Sequence, residues 1–386
     1  MQVAPIRVPH ISRRFAAILA AALMCCSPAA STPGPSGTTA EIEALFARRT
    51  EALAHGDAKA FALTFDSSRV ALRRWQADEL ESAKGGFLPR TPAIVRVEPY
   101  GDGYFRVYAS VDEESLFGYR LNGHVVRYYT RRIDGRMVLT EPRADELGPV
   151  RSTDADRLTI QYLGIDDDIG SLVALEAQHA RDQISSFAAQ RFAQLVTLEF
   201  SPTAETLGPA FSFNVFTQRT GPPYRIHFAP MTLGFDLSLK GLSDTTRFAL
   251  RHELAHELRD QLVPGLGGRL DSDSWLLDGW AHFASAINQR PDFFKPVCAG
   301  VKPQSLSELS IHWDLGQPGI DFSKLYATQQ SMVEYLYERF GGQAYWDLLR
   351  VVSVEGAAHA SFLKVLHVTV DQFYADWLTW AKKKHC

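Results

Sequence analysis

The segment His252-Glu-Leu-Ala-His256, an H-E-x-x-H pattern, most constrains what this chain can fold into. On an α-helix, residues four positions apart lie on one face, so both imidazoles would face the same way. Two neutral imidazole nitrogens placed in this way suit one Zn²⁺ ion, at about 2.0–2.1 Å each. Glu253 would then reach a water on the ion and act as general base. The pattern predicts a zinc-binding helix, and the alternative is a buried helix with two hydrogen-bonded histidines.

The flanking residues predict where this helix begins and ends. Ser243 or Asp244 would cap its start, and Pro264-Gly265 follows its end. The segment also offers a set of apolar positions for burial, namely Phe248, Leu250, Leu254 and Leu258. We therefore expect the two histidines to lie on a helix that packs into the protein core.

A second segment, Trp275-Leu-Leu-Asp278-Gly-Trp-Ala-His-Phe283, offers a third metal ligand in Asp278. Three protein ligands plus one water are typical of a catalytic zinc site, whereas a structural site closes all four positions. Asp271 and Asp273 in the preceding loop remain alternative ligands, as does His282, one helical turn beyond Asp278. The two segments together predict a hydrolytic zinc site.

Together these segments resemble the gluzincin group of zinc metallopeptidases, and within it the peptidase-MA-like domains of secreted bacterial proteins. The resemblance rests on H-E-x-x-H followed by W-x-x-D-G-x-A-x-F and spans residues 155–384. It implies that His252, His256 and Asp278 bind zinc and that Glu253 activates a zinc-bound water to hydrolyse peptide bonds. The family usually has glutamate where this chain has the shorter Asp278. The alternative is therefore a weakened site in a catalytically silent binding protein of the cell envelope.

The resemblance extends to the groups around the metal. Tyr326 lies where related aminopeptidase-type gluzincins carry a tyrosine before a similar helix. That position implies a hydrogen-bond donor to the oxyanion of the reaction, while a packing role stays equally open. The resemblance also implies that the strand 224–229 lines the cleft and pairs with an extended peptide. The exopeptidase signature G-x-M-E-N is missing from this region, which favours an endopeptidase or a processing enzyme.

Residues 40–150 show a different sequence pattern from the metal-site segments. Two helical segments are followed by runs of alternating polarity at 93–98, 103–111, 124–132 and 136–140. This order resembles the NTF2-like (cystatin-like) cone fold, which implies an accessory domain or a pocket for a small ligand. The expected fold class is α+β: an NTF2-like cone domain followed at 155–386 by a thermolysin-like zincin domain, mostly helical with a small sheet.

The N-terminus predicts export. Arg7, Arg13 and Arg14 precede an apolar run from Phe15 to Met24, and small residues follow. This is typical of a signal peptide over residues 1–30, and the run is too short to span a bilayer. Residues 31–39 form a Pro/Gly/Ser/Thr linker. The expected location is periplasmic, cell-envelope or secreted, with a lipid anchor at Cys25 or Cys26 as an open alternative.

The cysteines, the hydropathy and the net charge indicate which partners to expect. Cys298 and Cys386 are the cysteines outside the leader, and an exported protein favours a disulfide between them. No later stretch predicts a transmembrane helix. The formal net charge of −4 at pH 7 does not favour nucleic-acid binding. The expected partner is a peptide or protein substrate.

Overall fold

Most of the chain after the predicted leader is described by a computed structural model. The described residues are 37–84, 91–101, 103–111, 123–207, 217–264, 274–285, 294–303, 305, 322–355 and 358–386. The predicted signal peptide with Cys25 and Cys26, residues 31–36 of the linker, Asp271 and Asp273 lie outside them.

Helices occur near the start of the described chain, between its strands and throughout its C-terminal part. They are α1 (Gly37–Ala54), α2 (Ala58–Ala62), α3 (Val70–Lys84), α4 (Asp167–Ala188), α5 (Ala204–Leu207), α6 (Asp244–Leu262), α7 (Ser274–Ser285), α8 (Phe294–Cys298), α9 (Phe322–Phe340), α10 (Gly342–Glu355), α11 (Ala358–Leu366) and α12 (Val370–His385). The helices expected over the histidine motif and over the Asp278 segment are both present, as α6 and α7. No element was expected over α3, although its buried residues Leu72, Trp75 and Leu80 follow helical spacing.

The described strands form two sheets. The strands are β1 (Ala93–Tyr100), β2 (Tyr104–Val111), β3 (His124–Ile133), β4 (Arg136–Thr140), β5 (Val150–Ala155), β6 (Leu158–Leu163), β7 (Val196–Phe200), β8 (Thr217–Thr220), β9 (Tyr224–Phe228) and β10 (Gly234–Phe235). The first sheet is antiparallel, with β1, β2, β3 and β10 in that order and β4 also paired to β3. The second sheet has the order β5-β6-β7-β9-β8.

The first sheet is built as its alternating sequence predicts. A tight turn joins β3 to β4, with positive φ angles at Asp134 (49°) and Gly135 (74°), as the favoured two-residue hairpin turn requires. The inner face of this sheet packs on α1, whose Ile42, Leu45 and Phe46 are buried at 0–1% exposure. Burial of this apolar face holds the helices against the sheet.

The second sheet is mixed. Strands β6, β7 and β9 run parallel, while β5 and β8 pair antiparallel at its two edges. Strand β9 is therefore paired on both sides, and the expectation that it pairs with an extended peptide is wrong. Among the described residues, β8 is the edge strand beside it. The sequence did not reveal this because β8 is a short, polar Thr-Gln-Arg-Thr segment.

Helix α4 and helices α6 to α12 share one large hydrophobic core. Its buried side chains include Trp346, Leu349, Phe362, Phe373 and Trp377. Because α6 contacts α4 on one side and α7 on another, both histidines of the motif lie inside the protein. The predicted α+β class is confirmed.

A short strand joins the first sheet to the start of α6. The two residues of β10 pair with Val125 and Val126 of β3. At the head of β3, the buried imidazole of His124 lies 2.7 Å through Nδ1 from Ser243 Oγ. Ser243 is the N-cap of α6 and accepts a hydrogen bond from the Thr246 amide at 3.1 Å. The first sheet thus holds the helix that carries the histidine motif. The predicted boundary between two domains, near residues 150–155, stays a prediction.

Candidate metal centre

Helix α6 brings His252 and His256 together as the motif predicts. The N-cap fixes its start, and Leu250, Leu254 and Leu258 bury its apolar side completely. The two imidazoles lie one turn apart, with Nε2 atoms separated by 3.1 Å. Both are buried, at 9% and 3% exposure. The local sequence therefore places two nitrogen donors at one point inside the core.

Helix α7 supplies the third donor. Asp278 Oδ1 lies 3.2 Å from His256 Nε2, and the residue is 8% exposed. The next residue, Gly279, allows α7 to approach α9 closely: a Cβ there would lie 2.5 Å from the Gln329 carbonyl oxygen. Trp280 further secures α7, because its Nε1 donates to the Tyr337 hydroxyl at 2.7 Å. The Asp-Gly-Trp segment thus sets the depth at which the carboxylate lies.

The donor set fits a zinc ion in type and in spacing. His252, His256 and Asp278 offer ligand atoms that all lie within 4.8 Å of one another. In a tetrahedral site with bonds of about 2.0–2.1 Å, neighbouring ligand atoms lie about 3.3–3.4 Å apart. The observed separations of 3.1 and 3.2 Å are close to that value. The group could therefore hold a metal ion.

The electrostatic surroundings keep both histidines neutral. Burial lowers the pKa of His252 and of His256 well below the usual value, and the positive charges of Arg219 and Arg259 lower both further. Neutral imidazole is the form that binds a metal ion. The protonation state at neutral pH is therefore the one that ligation needs.

Glu253 lies in an ion pair that the motif does not predict. Arg219 of β8 places Nε 3.3 Å from Glu253 Oε2, and its Nη1 lies 2.9 Å from Asp260 Oδ2. The same guanidinium lies 4.0 Å from Glu257 Oε1. One arginine on the edge strand thus contacts acids on successive turns of α6. Nothing in the sequence near Arg219 indicated this, because the contact joins residues from two distant segments.

Glu257, directly after the second histidine of the motif, is deeply buried, at 1% exposure. Burial raises its pKa to about 8, although the nearby charge of Arg219 acts in the opposite direction. At neutral pH this side chain is therefore mostly protonated. It contributes little negative charge to the site.

Tyr326, at the start of α9, is brought to the same region. Its ring centroid lies 4.3 Å from that of His282, and it is 2% exposed. Burial raises its pKa well above the usual value, and the charges of Asp278 and Glu253 raise it further. The phenol therefore stays protonated and keeps its O–H as a donor. Whether it acts on an oxyanion stays a prediction.

His282 lies beside the three donors without joining them. Its ring centroid is 4.6 Å from that of His252 and 5.6 Å from that of Phe248. It is fully buried, and burial lowers its pKa to about 3. Among the described residues, the converging set contains Asp278 and not His282. The alternatives Asp271 and Asp273 lie outside the described residues.

A second arginine contacts the centre from behind. Arg259 Nη1 lies 2.6 Å from His256 Nδ1, on the side of the ring that faces away from Asp278. Its Nε and Nη2 donate to Asp260 Oδ1 at 2.8 and 2.6 Å. This contact was not predicted from the sequence, although a basic residue three positions after the second histidine was a usable signal.

Two further expectations concern the whole chain. Cys298 and Cys386 form a disulfide with a Cα–Cα distance of 5.5 Å, as predicted, and it joins α8 to the end of α12. None of the described helices combines the length and the hydropathy that a membrane span requires.

The chain matches no protein-family model, and no curated protein matches it at a significant level.

Proposed function

We propose that this protein is an exported zinc metallopeptidase, with an NTF2-like domain at residues 40–150 and a zincin-like domain at 155–386. One observation carries the proposal. His252 and His256 of α6, the helix that also bears Glu253, converge in a buried site with Asp278 of α7, and all three are donors of the types that zinc prefers.

In this proposal His252 and His256 bind the metal through their Nε2 atoms and Asp278 binds through a carboxylate oxygen. Bound zinc would polarise a peptide carbonyl and lower the pKa of a coordinated water toward about 7. Glu253 would accept the proton of the attacking water and pass it to the leaving amine. Tyr326 would donate its hydroxyl proton in a hydrogen bond to the developing oxyanion.

Arg219 would orient the general base in this scheme. It contacts Glu253 from β8, so the position of the carboxylate depends on the position of the edge strand. An edge strand offers unpaired backbone groups that an extended peptide can bind. A peptide on β8 would lie next to Glu253. This arrangement favours cleavage within a chain over removal of a terminal residue.

The disulfide supports the proposed location. Disulfides persist in oxidising compartments such as the periplasm and the cell exterior. The Cys298–Cys386 bridge therefore agrees with export.

The test is the substitution Glu253→Gln, assayed against a quenched-fluorescent peptide library with zinc-loaded protein. We expect turnover to fall by at least about 100-fold, because loss of a general base typically costs 10²–10⁴-fold. Bound zinc should remain at the wild-type level. Glu199→Gln, on β7 and paired with Arg225, is the matched control and should keep full activity. Wild-type turnover by Glu253→Gln would contradict the proposal.

A second candidate is a peptidase-like binding protein without turnover. The ion pair between Arg219 and Glu253 favours it, because a carboxylate held by a guanidinium is less free to accept a proton. In that case the wild type would bind zinc and cleave no member of the library. Because the ion pair is what would silence the site, Arg219→Gln should release Glu253 and produce measurable turnover.

A further inference from the structure

The disulfide between Cys298 and Cys386 closes a loop around the helices that support Asp278. Its two cysteines are 88 positions apart, and the segment between them contains α9 to α12. Cys298 ends α8, the described helix that follows α7, and Cys386 directly follows α12. Beside the bridge, Phe294 of α8 stacks on His385 of α12, with ring centroids 4.2 Å apart. The bridge therefore ties the end of α12 to α8.

Helices inside this loop hold α7 on both sides of its metal ligand. Tyr345 of α10 donates its hydroxyl proton to the Leu276 carbonyl oxygen at 3.1 Å. Trp280 Nε1 donates to the hydroxyl of Tyr337 on α9 at 2.7 Å. Leu276 and Trp280 lie two positions before and two positions after Asp278. The carboxylate therefore takes its position from helices that lie between the two cysteines.

Helix α12 completes this support near the start of α7. The ring centroid of Phe373 lies 6.1 Å from that of Trp275, which precedes Asp278 by three positions. Trp377 Nε1 donates to Ser331 Oγ of α9 at 3.1 Å. A shift of α12 would therefore reach Asp278 by two routes, through Trp275 and through α9.

The two histidines of the motif are held by a different part of the chain. At the start of α6, the N-cap Ser243 lies 2.7 Å from the His124 ring of β3. Further along the helix, Arg251 donates to Glu176 of α4 at 3.1 Å. These partners all precede Cys298 in the chain. Helix α6 also packs directly on α7, so the helices within the loop support α7 from its other side.

We propose that the Cys298–Cys386 disulfide is a positioning device that keeps Asp278 in the metal centre, so that the chain binds zinc tightly only after the disulfide has formed. A disulfide restricts the open conformations of the segment that it closes. Without the bridge, local opening of α12 becomes more frequent and releases Trp275, while α6 stays in place. The inference rests on the proposed metal site and adds the condition under which that site is complete.

Formation of the bridge would set the order of maturation. In exchange with a protein or small-molecule disulfide, the thiols of Cys298 and Cys386 lose two protons and two electrons and form an S–S bond. The S–S bond of the oxidant breaks, and its two sulfurs leave as thiols. Such oxidants act in the compartments to which export leads. A reduced chain would keep its two histidine ligands without a fixed carboxylate, and tight zinc binding would follow the disulfide.

The test is a thermodynamic cycle of zinc affinities, measured on the mature chain by competition with a chromophoric chelator. It compares the wild type, Asp278→Ala, the pair Cys298→Ala with Cys386→Ala, and all three changes together. Alanine replaces both cysteines because a free thiolate itself binds zinc. We expect loss of the bridge to weaken zinc binding at least about tenfold in the wild type, the lower end of what contacts around metal ligands contribute. In Asp278→Ala it should have almost no effect, since there is no carboxylate to displace.

The matched control is Lys384→Ala. It removes the ion pairs from α12 to Glu334 and Glu338 of α9 but keeps the disulfide, and it should retain wild-type zinc affinity. An equal loss of affinity with and without the Asp278 carboxylate would overturn the inference, because the bridge would then support the whole site. Unchanged affinity without the bridge would refute the inference and leave the metal site standing. If the wild type binds no zinc, both proposals fail.

Pulsed hydrogen exchange covers the case in which the bridge-free variant does not fold. The metal-free wild-type chain is reduced, and the protection of α6, α7 and α12 is followed separately over time. We expect α12 and α7 to lose protection before α6, whose described supports lie outside the loop. Loss of protection in α6 and α7 together, or no loss in α7, would overturn the inference.

Discussion

Two buried polar clusters in this protein differ in where their positive charge lies. Between α1 and α3, Arg49 donates to both Gln76 and Glu79, and its guanidinium lies 4.6 Å from the Phe61 ring centroid. The cation is at the middle of that cluster. In the candidate metal centre, by contrast, Arg259 approaches His256 from the side away from Asp278.

This difference separates a structural cluster from a candidate site. A buried ion pair is stable when its own charges compensate one another. The Arg49 cluster meets this condition with protein atoms alone. In the metal centre, two imidazoles and a carboxylate converge. Arg259 contacts His256 at Nδ1, away from the point of convergence, and Arg219 contacts Glu253. The converging atoms are therefore the ones suited to an added cation.

The largest expected effect on the free energy of unfolding comes from disrupting the Arg49 cluster. Glu79→Ala leaves Arg49 buried without its charged partner, and we expect a loss of about 3–5 kcal/mol in the free energy of unfolding. Urea denaturation followed by circular dichroism measures this. Replacing both partners, Arg49→Met with Glu79→Leu, should recover most of the loss. A single mutant that loses less than about 1 kcal/mol would show that the ion pair is not compensating a buried charge.

The second prediction concerns Glu257, a buried acid of the metal region. Its pKa of about 8 in the folded chain lies above its ordinary value of 4.5. The folded state thus keeps a proton that the unfolded chain releases, so the free energy of unfolding falls as pH rises from about 4.5 to about 8. Each unit of pKa difference corresponds to about 1.4 kcal/mol. Glu257→Gln should flatten this slope in urea titrations across that range, and an unchanged slope would contradict the assignment.

The third prediction concerns the effect of added zinc on stability. Zinc at 100 times its dissociation constant should raise the free energy of unfolding by about 2.7 kcal/mol, since it binds only the folded chain. Asp278→Ala should lose this response in thermal denaturation. Glu79→Ala, which damages the other cluster, should keep it. Equal responses from both variants would show that zinc does not distinguish the two clusters.

The smallest effect concerns the start of the metal helix. Ser243→Ala removes the N-cap of α6 and the contact with His124, and should cost about 1–2 kcal/mol. Thr369→Ala removes the equivalent cap of α12 and should cost about 1 kcal/mol. Only Ser243→Ala should also weaken zinc binding, because only α6 carries the histidines. Chemical denaturation and zinc competition together test this, and identical zinc affinities would refute the link.

Local sequence predicted what local structure determines. The spacing of His252 and His256 fixes their common face on a helix, and Ser243 marks where that helix begins. The alternating runs likewise predicted β1 to β4. These features depend on residues a few positions apart, which is why they could be read directly.

Contacts between distant segments could not be read in this way. Arg219 meets α6 only because β8 pairs with β9 at the sheet edge. The two-residue strand β10 exists only through its pairing with β3, and Glu257 is buried only because neighbouring elements cover it. The sequence near each of these residues carries no comparable signal. The missed contacts are also those that set the charges around the candidate centre.

The most direct test of the central claim is the zinc content per mole of purified protein, measured for the wild type beside Asp278→Ala after reconstitution with zinc. We predict one zinc per wild-type chain and a clear loss in the variant, with far-UV circular dichroism unchanged. A folded wild-type chain that retains no zinc would contradict the metal site, and with it the proposed peptidase function.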